Sequence, residues 1–500
     1  MSTAKKFAGQ TFVYGLSTIA GRVLSFFLTP IYTRTFSTKV YGIFGNLYSY
    51  ASMLNALLAF GMETTFFRYL NKRPDDKQTV YNNAFGAVLA VSLLFLVLTF
   101  PFAGLIASWI RIDSSTPVSE YILFIKFFIG TLVVDAISVI PFAKIRAEGR
   151  PGRYGMLKFV NVMMFVSLNL MFIYLLPAIV KHNWPGAAFI QVWFKQGWIG
   201  YVFLSNFIAN SITAVMLMPE FLKLRPRFSK ELLTEMLLYS WPVLIANFSY
   251  LVNENLDKIL LGNLLPLNES ATQVGIYSAC SKISVFLSIF VNAFRLGAEP
   301  FFFSHAKNKN ATQTYARIMH YFVIAVCMIF VALVANIELL KYFIKGKDAA
   351  QTALYWSGIK VIPVLLFGYV SLGIYMNLSV WYKLTDQTKY GLYISGIGAL
   401  VTIVLNVVFI PYYGYIASAW ISLCAYTTMM VLSYLWGQKH YPIPYLLKKN
   451  LAYIIISLAL VYLSFSVFKR NIFISNGLFI LFALGALYTE RKELKAIFSK

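Results

Sequence analysis

The sequence predicts an all-α polytopic membrane protein with fourteen transmembrane helices. Hydrophobic side chains make up 59% of the 500 residues and charged ones only 12%, well below the roughly one quarter that is typical of soluble domains. Apolar runs of about 20 residues, which can cross about 30 Å of hydrocarbon, recur fourteen times along the chain. Short motifs in the first half return after 236 residues in the second half.

The apolar runs follow one another so closely that little chain lies outside them. They cover residues 8–34, 40–69, 80–110, 118–143, 155–180, 197–219, 237–264, 272–303, 314–339, 352–380, 390–411, 413–437, 450–468 and 472–489. The longest segment outside these spans has fewer than about 20 residues, which leaves no room for a catalytic domain beside the membrane. We therefore do not expect an enzyme.

A duplication is indicated by motifs that recur at one spacing. Glu63, followed by Phe66 and Phe67, recurs as Glu299, followed by Phe302 and Phe303, and Tyr154-Gly155 recurs as Tyr390-Gly391, in both cases after 236 residues. The same two spans begin with similar strings, Val-Tyr-Gly-Ile-Phe from Val40 and Val-Gly-Ile-Tyr from Val274. An even number of spans per repeat gives both repeats the same orientation. Parallel bundles facing a central cavity form the architecture of an alternating-access transporter. The predicted domains are a six-helix bundle over 1–219, a cytoplasmic linker over 220–236, a second six-helix bundle over 237–437, and two extra C-terminal helices with a cytoplasmic tail over 438–500.

The distribution of basic residues predicts the orientation of the chain. Its net charge is +24, and short loops rich in Lys and Arg stay in the cytoplasm. With a cytoplasmic N-terminus, 26 basic residues lie on the cytoplasmic side, 10 on the other side and 7 inside spans. We therefore expect both termini in the cytoplasm and interpret the charge as a topology signal, which argues against a nucleic-acid partner.

Polar side chains recur at helical spacing in spans that are equivalent in the two repeats. The stripes are Thr18, Arg22, Ser25 and Thr29 in the first span, and Ser281, Ser284, Ser288, Asn292, Arg295 and Glu299 in the eighth. Because lipid-facing helices seldom carry such stripes, we expect both to line a water-filled cavity. Arg295 and Glu299 are also spaced for an ion pair within one helix, which is the alternative interpretation.

Other charges inside the spans have two interpretations each. Lys126, Lys282 and Lys360 lie within about ten residues of the outer membrane face, where a long side chain can instead extend to water. Asp135 lies near the middle of the fourth span, and Glu63 near the end of the second. A buried acid such as Asp135 fits a protonation site, an interhelical salt bridge or a neutral carboxyl group, and the spacing does not distinguish them.

Neither a cofactor nor a metal is expected. Cys280, Cys327 and Cys424 all fall inside spans and are interpreted as small core residues. The cysteines and the four histidines lack the spacing of a zinc site or a disulfide framework. The sequence also contains no phosphate-binding Gly-rich loop followed by Lys and Ser or Thr, so we do not expect an ATPase.

Specific strings then carry a family resemblance over essentially the whole chain. Residues 256–262 read Leu-Asp-Lys-Ile-Leu-Leu-Gly and lead to Val274, and Leu405-Asn406 is followed by Ile410-Pro411 and Gly414. With fourteen spans and two repeats, the chain resembles the polysaccharide transporter (O-antigen flippase-like) branch of the multidrug/oligosaccharidyl-lipid/polysaccharide exporter superfamily.

The resemblance implies a flippase that moves an undecaprenyl-diphosphate-linked oligosaccharide from the inner to the outer leaflet of the bacterial inner membrane. The residues that would bind this substrate are Arg22, Lys282 and Arg295, with Lys126 and Lys360 as weaker diphosphate contacts, and Ser25 and Asn292 for sugar hydroxyls. Asp135, Glu63 and Glu299 are the candidates for coupling to an ion. We expect a monomer whose partners are the lipid-linked glycan, the bilayer, and a polysaccharide polymerase or glycosyltransferases.

The rival function within the superfamily is a proton- or sodium-coupled multidrug exporter. An exporter of cationic drugs would be expected to carry acidic residues deep in its first helices. Here the first span carries Arg22, and inside the spans basic residues outnumber acidic ones. The charge balance therefore favours an anionic substrate.

Overall fold

This computed structural model describes residues 26–225, 227–306 and 308–498, and the described chain consists of helices joined by short connections, without a β-strand. Ten of its helices are long and apolar enough to cross a membrane. They match the third to fifth and the eighth to fourteenth predicted spans, which confirms the all-α membrane class. The full count of fourteen stays a prediction.

The helices up to residue 264 are numbered in chain order. They are α1 (Thr29–Thr35), α2 (Thr38–Ala59), α3 (Met62–Lys72), α4 (Lys77–Thr99), α5 (Ala103–Ile110), α6 (Val118–Ala147), α7 (Pro151–Leu170), α8 (Leu176–Lys181), α9 (Ala187–Trp193), α10 (Gly200–Met216), α11 (Met218–Phe221) and α12 (Lys230–Leu264). A π-helical turn at Met171–Leu175 joins α7 to α8.

The remaining helices follow the same numbering. They are α13 (Ser270–His305), α14 (Ala311–Ala335), α15 (Ile337–Leu340), α16 (Ala349–Ser357), α17 (Ile362–Leu378), α18 (Val380–Leu384), α19 (Lys389–Tyr413), α20 (Tyr415–His440), α21 (Leu447–Tyr462) and α22 (Ile472–Phe498). Two 3₁₀ turns, Lys341–Ile344 and Gly358–Val361, flank α16, and a π-helical turn at Leu463–Val467 follows α21.

Four predicted spans are not among the ten, and each has a separate reason. Most of the first span lies outside the described residues. The second is divided between α2 and α3, and the sixth, α10, has only 17 residues. The seventh lies inside α12, a 35-residue helix that holds the acidic and amide side chains of Asn253, Glu254 and Asp257.

The second predicted span is interrupted between α2 and α3. Phe60 and Gly61 have positive φ angles of 28° and 71°, which end a right-handed helix and favour glycine at position 61. A Cβ atom at Gly61 would lie 2.9 Å from the carbonyl oxygen of Ser240. The interruption therefore changes the course of the chain and places Glu63 in the first turn of a new helix.

Two glycines of the repeated motif lie where α2 crosses the beginning of α13. A Cβ atom on Gly42 would overlap the carbonyl oxygen of Ala271, and one on Gly275 would overlap that of Thr38. Small residues allow helix backbones to approach this closely inside a membrane. The motif that revealed the duplication thus marks a close helix crossing.

The described chain divides into two compact units, with the boundary after Gly275. Helix α12 belongs to the first unit, and it begins at Lys230, so that much of the predicted linker (220–236) is helical. Compactness is a different criterion from sequence duplication, and the predicted repeat boundaries therefore stay a prediction.

In the second unit, the two extra helices dock on α14 through buried polar contacts. His320 lies 2.6 Å from the amide oxygen of Asn450 on α21 and 3.3 Å from the carboxylate of Glu490 on α22. Tyr453 donates a 3.1 Å hydrogen bond to the same carboxylate. Since such groups are costly to leave alone in hydrocarbon, these contacts fix the positions of α21 and α22.

Candidate transport site

Two of the predicted substrate-binding residues, Arg22 and Ser25, lie outside the described residues. Of the first predicted stripe, the described residues include only Thr29, which is buried, so the charged part of the predicted lining that the structure places lies on α13. That helix carries Lys282, Asn292, Arg295 and Glu299 in its course through the second unit.

Glu299 pairs with a different helix from the one expected. Its carboxylate lies 2.7 Å from the ammonium of Lys383 on α18, so the alternative of an Arg295–Glu299 pair within α13 is wrong. Among the described side chains, Arg295 forms no ion pair, and it is half-buried. Its guanidinium charge is thus available to a ligand.

Arg295, Glu299 and Lys383 line a narrow crevice between α13 and the α17–α18 segment. The crevice leaves about 10 Å³ for water, about enough for a single molecule. Asn377 also lines it, and the Nδ2 atom of this buried side chain has no hydrogen-bond partner among the described residues. Because a buried donor without a partner is costly, Asn377 and Arg295 together provide unused donors at one place.

The rest of the α13 stripe is half-buried, except at Ser284. Ser284 is fully buried, and its hydroxyl has no partner among the described residues. Asn292 donates from Nδ2 to the backbone oxygen of Ser288 at 2.8 Å. Lys282 is half-buried on the same helix. Apart from the buried Ser284, the side chains of the stripe are half-buried from Ser281 to Glu299.

The first unit contains an ion pair that matches the one in the second. Glu63 on α3 pairs with Arg146 near the end of α6, and the guanidinium also lies 5.0 Å from the ring of Phe67. Glu63 and Glu299 are 236 residues apart, and Arg146 and Lys383 are 237 apart. The spacing of the sequence motifs thus returns as a repeated contact between helices.

Asp135 is half-buried on α6 and forms no ion pair within the described part of the chain. Its polar helix neighbours, Thr131 and Ser138, donate hydrogen bonds to backbone oxygens one turn before them, at 2.8 and 2.7 Å. An unpaired acid within a membrane span is a frequent mark of ion or proton coupling. A role of Asp135 in coupling stays a prediction.

Lys126 and Lys360 are exposed. The ammonium of Lys126 lies 5.4 Å from the ring of Phe100, and that of Lys360 lies 5.8 Å from the ring of Tyr415. Pairing with an aromatic ring is typical of side chains that anchor a helix at the membrane interface. These contacts favour the anchoring interpretation for both lysines.

Glu220, which lies in the short helix α11, is fully buried among three cations. Its carboxylate lies 2.9 Å from Arg150, 3.2 Å from Arg153 and 2.8 Å from Lys223. Burial by itself raises the pKa of this carboxyl, but the hydrogen bonds and charges of Lys223 and Arg150 outweigh burial and hold the pKa below its usual value. Glu220 therefore joins the end of α11 to the beginning of α7.

Sequence reasoning missed the partners of the acidic residues. In the sequence, Lys383 and Arg146 were only two of the basic residues on the predicted cytoplasmic side. Spacing along one helix does not reveal an ion-pair partner on another helix. Asn377 could have been noticed, since it interrupts a long apolar segment of α17. Cys280 and Cys327 are buried as expected, but Cys424 on α20 is exposed, so its interpretation as a core residue is wrong.

A family comparison agrees with the fold and the charged site. Residues 7–304 match the family model described as polysaccharide biosynthesis protein, which is more than half of the chain. The chain belongs to this family. Residues 242–408 also match the MatE model. It is thus a member of the multidrug/oligosaccharidyl-lipid/polysaccharide exporter superfamily, in its polysaccharide transporter branch.

Solved structures of low sequence identity share the fold of this polysaccharide biosynthesis family member. The lipid II flippase MurJ in an inward closed conformation matches with a TM-score of 0.72 at 12% identity, over 97% of this chain and 100% of that one. An inward-facing multidrug resistance MATE family transporter matches with a TM-score of 0.64 at 14% identity, over 86% of this chain and 94% of that one. No curated protein matches the sequence. Transporters and a flippase, rather than enzymes, are thus the proteins named by these structures.

Proposed function

We propose that this protein is a flippase that moves an undecaprenyl-diphosphate-linked oligosaccharide from the inner to the outer leaflet of the bacterial inner membrane by alternating access. The observation that carries the proposal is the polysaccharide biosynthesis match over residues 7–304. The product would be used for a surface polysaccharide such as O-antigen. Both termini would lie in the cytoplasm.

The charge of the described site suits a diphosphate. Such an anion cannot leave water without new partners, and a guanidinium about 4 Å away attracts a unit charge by about 4 kcal/mol at an effective dielectric of 20, before the cost of desolvation. Arg295 is half-buried without an ion pair in the described chain, and Asn377 adds a free amide donor beside it. Arg22 on the first span would supply the matching charge from the other repeat.

The small size of the crevice is consistent with alternating access. Its roughly 10 Å³ of free space cannot hold a sugar or a diphosphate, so helices α13 and α17 must separate before a ligand reaches Arg295. The Glu299–Lys383 pair, which joins these segments at the edge of the crevice, would break or rearrange in that step. Exposed ion pairs are worth about 0–1 kcal/mol, so this cost is small.

Two energy sources fit the proposed transport. A negative interior potential favours outward movement of an anion by about 2.3 kcal/mol per charge per 100 mV. Coupling to an incoming ion would use Asp135, or Glu63 and Glu299 after their ion pairs open. Proteoliposomes with an imposed potential, a proton gradient or a sodium gradient, applied separately, distinguish these sources.

Replacement of Arg295 by glutamine should lower the rate of flipping by about tenfold or more, because a hydrogen bond to a charged group contributes about 1.5–3 kcal/mol. The measurement uses proteoliposomes that contain a lipid-linked oligosaccharide, with the fraction in the outer leaflet determined by the access of an added lectin. Asn377→Leu should slow flipping less, since it removes a neutral donor.

Lys439→Gln is the matched control, since it removes one positive charge from an exposed residue outside the crevice. It should flip at the rate of the unchanged protein. If Arg295→Gln also flips at that rate, Arg295 does not contact the substrate. If the unchanged protein fails to flip any lipid-linked glycan, the proposed function itself is refuted.

The alternative function is a proton- or sodium-coupled exporter of small molecules, and the MatE match over residues 242–408 favours it. Asp135, an acid without an ion pair in the described chain, would then be the coupling residue. Efflux of a cationic dye driven by a proton or sodium gradient, lost in Asp135→Asn, would support this function instead.

A further inference from the structure

The first unit contains a polar cavity of its own. None of the described residues predicted to bind the transported substrate lines it. It lies among the end of α3, the beginning of α4, the end of α6 and the turn after α11, and its volume is about 640 Å³. Lys77, Lys144 and Lys223 line it, together with Glu148. Ligand-binding pockets commonly have volumes of about 300–1,000 Å³.

The three lysines come from basic clusters that are far apart in the sequence. Lys77, Lys144 and Lys223 were counted above only among the basic residues that indicate the cytoplasmic side, and the fold brings all three to the same cavity. A hydrogen bond of 2.8 Å from the side chain of Gln78 to the backbone oxygen of Lys223 fixes the loop that carries the third lysine. The three lysines therefore meet because of how these helices and loops pack.

The charge in and around the cavity is positive. Lys77 and Lys144 form no ion pair among the described side chains, whereas Glu148 pairs with Arg150. Lys223 shares Glu220 with Arg150 and Arg153. Counting the lining residues and these neighbours gives five cations against two carboxylates. Two further acids, at positions 75 and 76, are exposed and do not line the cavity.

Lys144 is held in place by packing. Its ammonium lies 3.8 Å from the ring of Tyr81, a buried side chain whose hydroxyl donates a 2.7 Å hydrogen bond to the backbone oxygen of Glu220. A cation held over a ring keeps its other donor directions free. Phe66 and Phe67 form an apolar wall of the same cavity, which suits the carbon atoms of a headgroup.

We infer that this cavity binds a phosphate-bearing anion at the predicted cytoplasmic face, separately from the transported glycan lipid. Lysines are frequent phosphate ligands, and the cytoplasmic leaflet is rich in anionic phosphate headgroups. The phosphate can come from the headgroup of a membrane lipid or from a soluble compound, and both sources present the same chemistry to Lys77, Lys144 and Lys223.

Binding is tested on the purified full-length protein with two probes. Inorganic pyrophosphate is titrated calorimetrically in neutral detergent, and phosphatidylglycerol retained by the protein is measured by native mass spectrometry against phosphatidylcholine. Lys77→Gln/Lys144→Gln should weaken binding by about tenfold, since each exposed charge contact contributes up to about fivefold. The control Lys181→Gln/Lys230→Gln removes two exposed lysines outside the cavity and should bind normally.

The two probes separate the sources of the phosphate. Binding of pyrophosphate supports a site for the phosphate group alone, and selective retention of phosphatidylglycerol without pyrophosphate binding supports a lipid headgroup site. If Lys144→Gln prevents folding, Lys77→Gln alone should still weaken binding by about threefold. Absence of binding of both probes, or equal loss in the control variant, would overturn the inference. The flipping assay above is independent of either result.

Discussion

Alanine in place of Gly42 is expected to destabilise the first unit strongly. The added methyl group would overlap the carbonyl oxygen of Ala271 on α13, and a backbone oxygen cannot move aside as a side chain can. Overpacking in a dense interior costs about 1–3 kcal/mol and sometimes more, and this contact is at the upper end. The yield of monodisperse protein and the melting temperature in detergent measure the effect.

Gly396→Ala is the matched control, because nothing lies within 4 Å of a Cβ atom built at Gly396. Alanine there should be neutral or slightly stabilising, since it favours helix by about 1 kcal/mol over glycine. Gly275→Ala should destabilise the protein as Gly42→Ala does. The double variant should lower the free energy of unfolding by less than the sum of the two single changes, because both changes separate the same helices. Normal melting of Gly42→Ala would show that this crossing is not closely packed.

Replacement of Glu220 by glutamine should destabilise the first unit by about 3 kcal/mol, because breaking a buried charge pair leaves its partner without compensation. Arg150, Arg153 and Lys223 would then repel one another around a buried amide. We expect the lower end of the usual range, since these cations are about 30–44% exposed and water screens them.

The stability contributed by Glu220 should depend on pH in a stated direction. The pKa of Glu220 is lower in the folded protein than its ordinary value of 4.5, so its contribution is fully present above about pH 4.5. It is lost as the pH falls through the lowered folded pKa. Melting temperatures from pH 7 to pH 3 should therefore fall more steeply for the unchanged protein than for Glu220→Gln. Glu269→Gln, at an exposed carboxylate, should follow the unchanged protein, and parallel curves for Glu220→Gln would refute the role of this residue.

The sequence alone was sufficient for the class of fold because each apolar span must bury its own backbone hydrogen bonds in a helix to cross the membrane. That constraint acts along single segments, so composition and span length predict it directly. Spans with polar or charged residues, such as the one inside α12, were still recognised as helices from their pattern. The interruption at Phe60 and Gly61 was not foreseen, because it depends on the neighbouring α12 backbone.

The repeat shows where sequence reasoning was strong and where it ended. Recurring glutamates and glycines indicated a duplication, and the structure adds that Glu63 and Glu299 each pair with a cation of a distant helix. The identities of Arg146 and Lys383 as partners could not be predicted. Helical spacing relates residues within one segment, whereas these pairs depend on how two segments pack.

The sequence by itself determined that this chain crosses the membrane as helices, resembles a polysaccharide exporter and carries charge inside its spans, since these properties follow from local composition and motifs. Only the tertiary structure decided that Asn377 lies beside Arg295 and that Lys77, Lys144 and Lys223 meet at one cavity. The physical reason is that a binding site requires side chains that lie close together in space. Only helix packing brings together residues that are separated by tens to more than a hundred positions in the sequence.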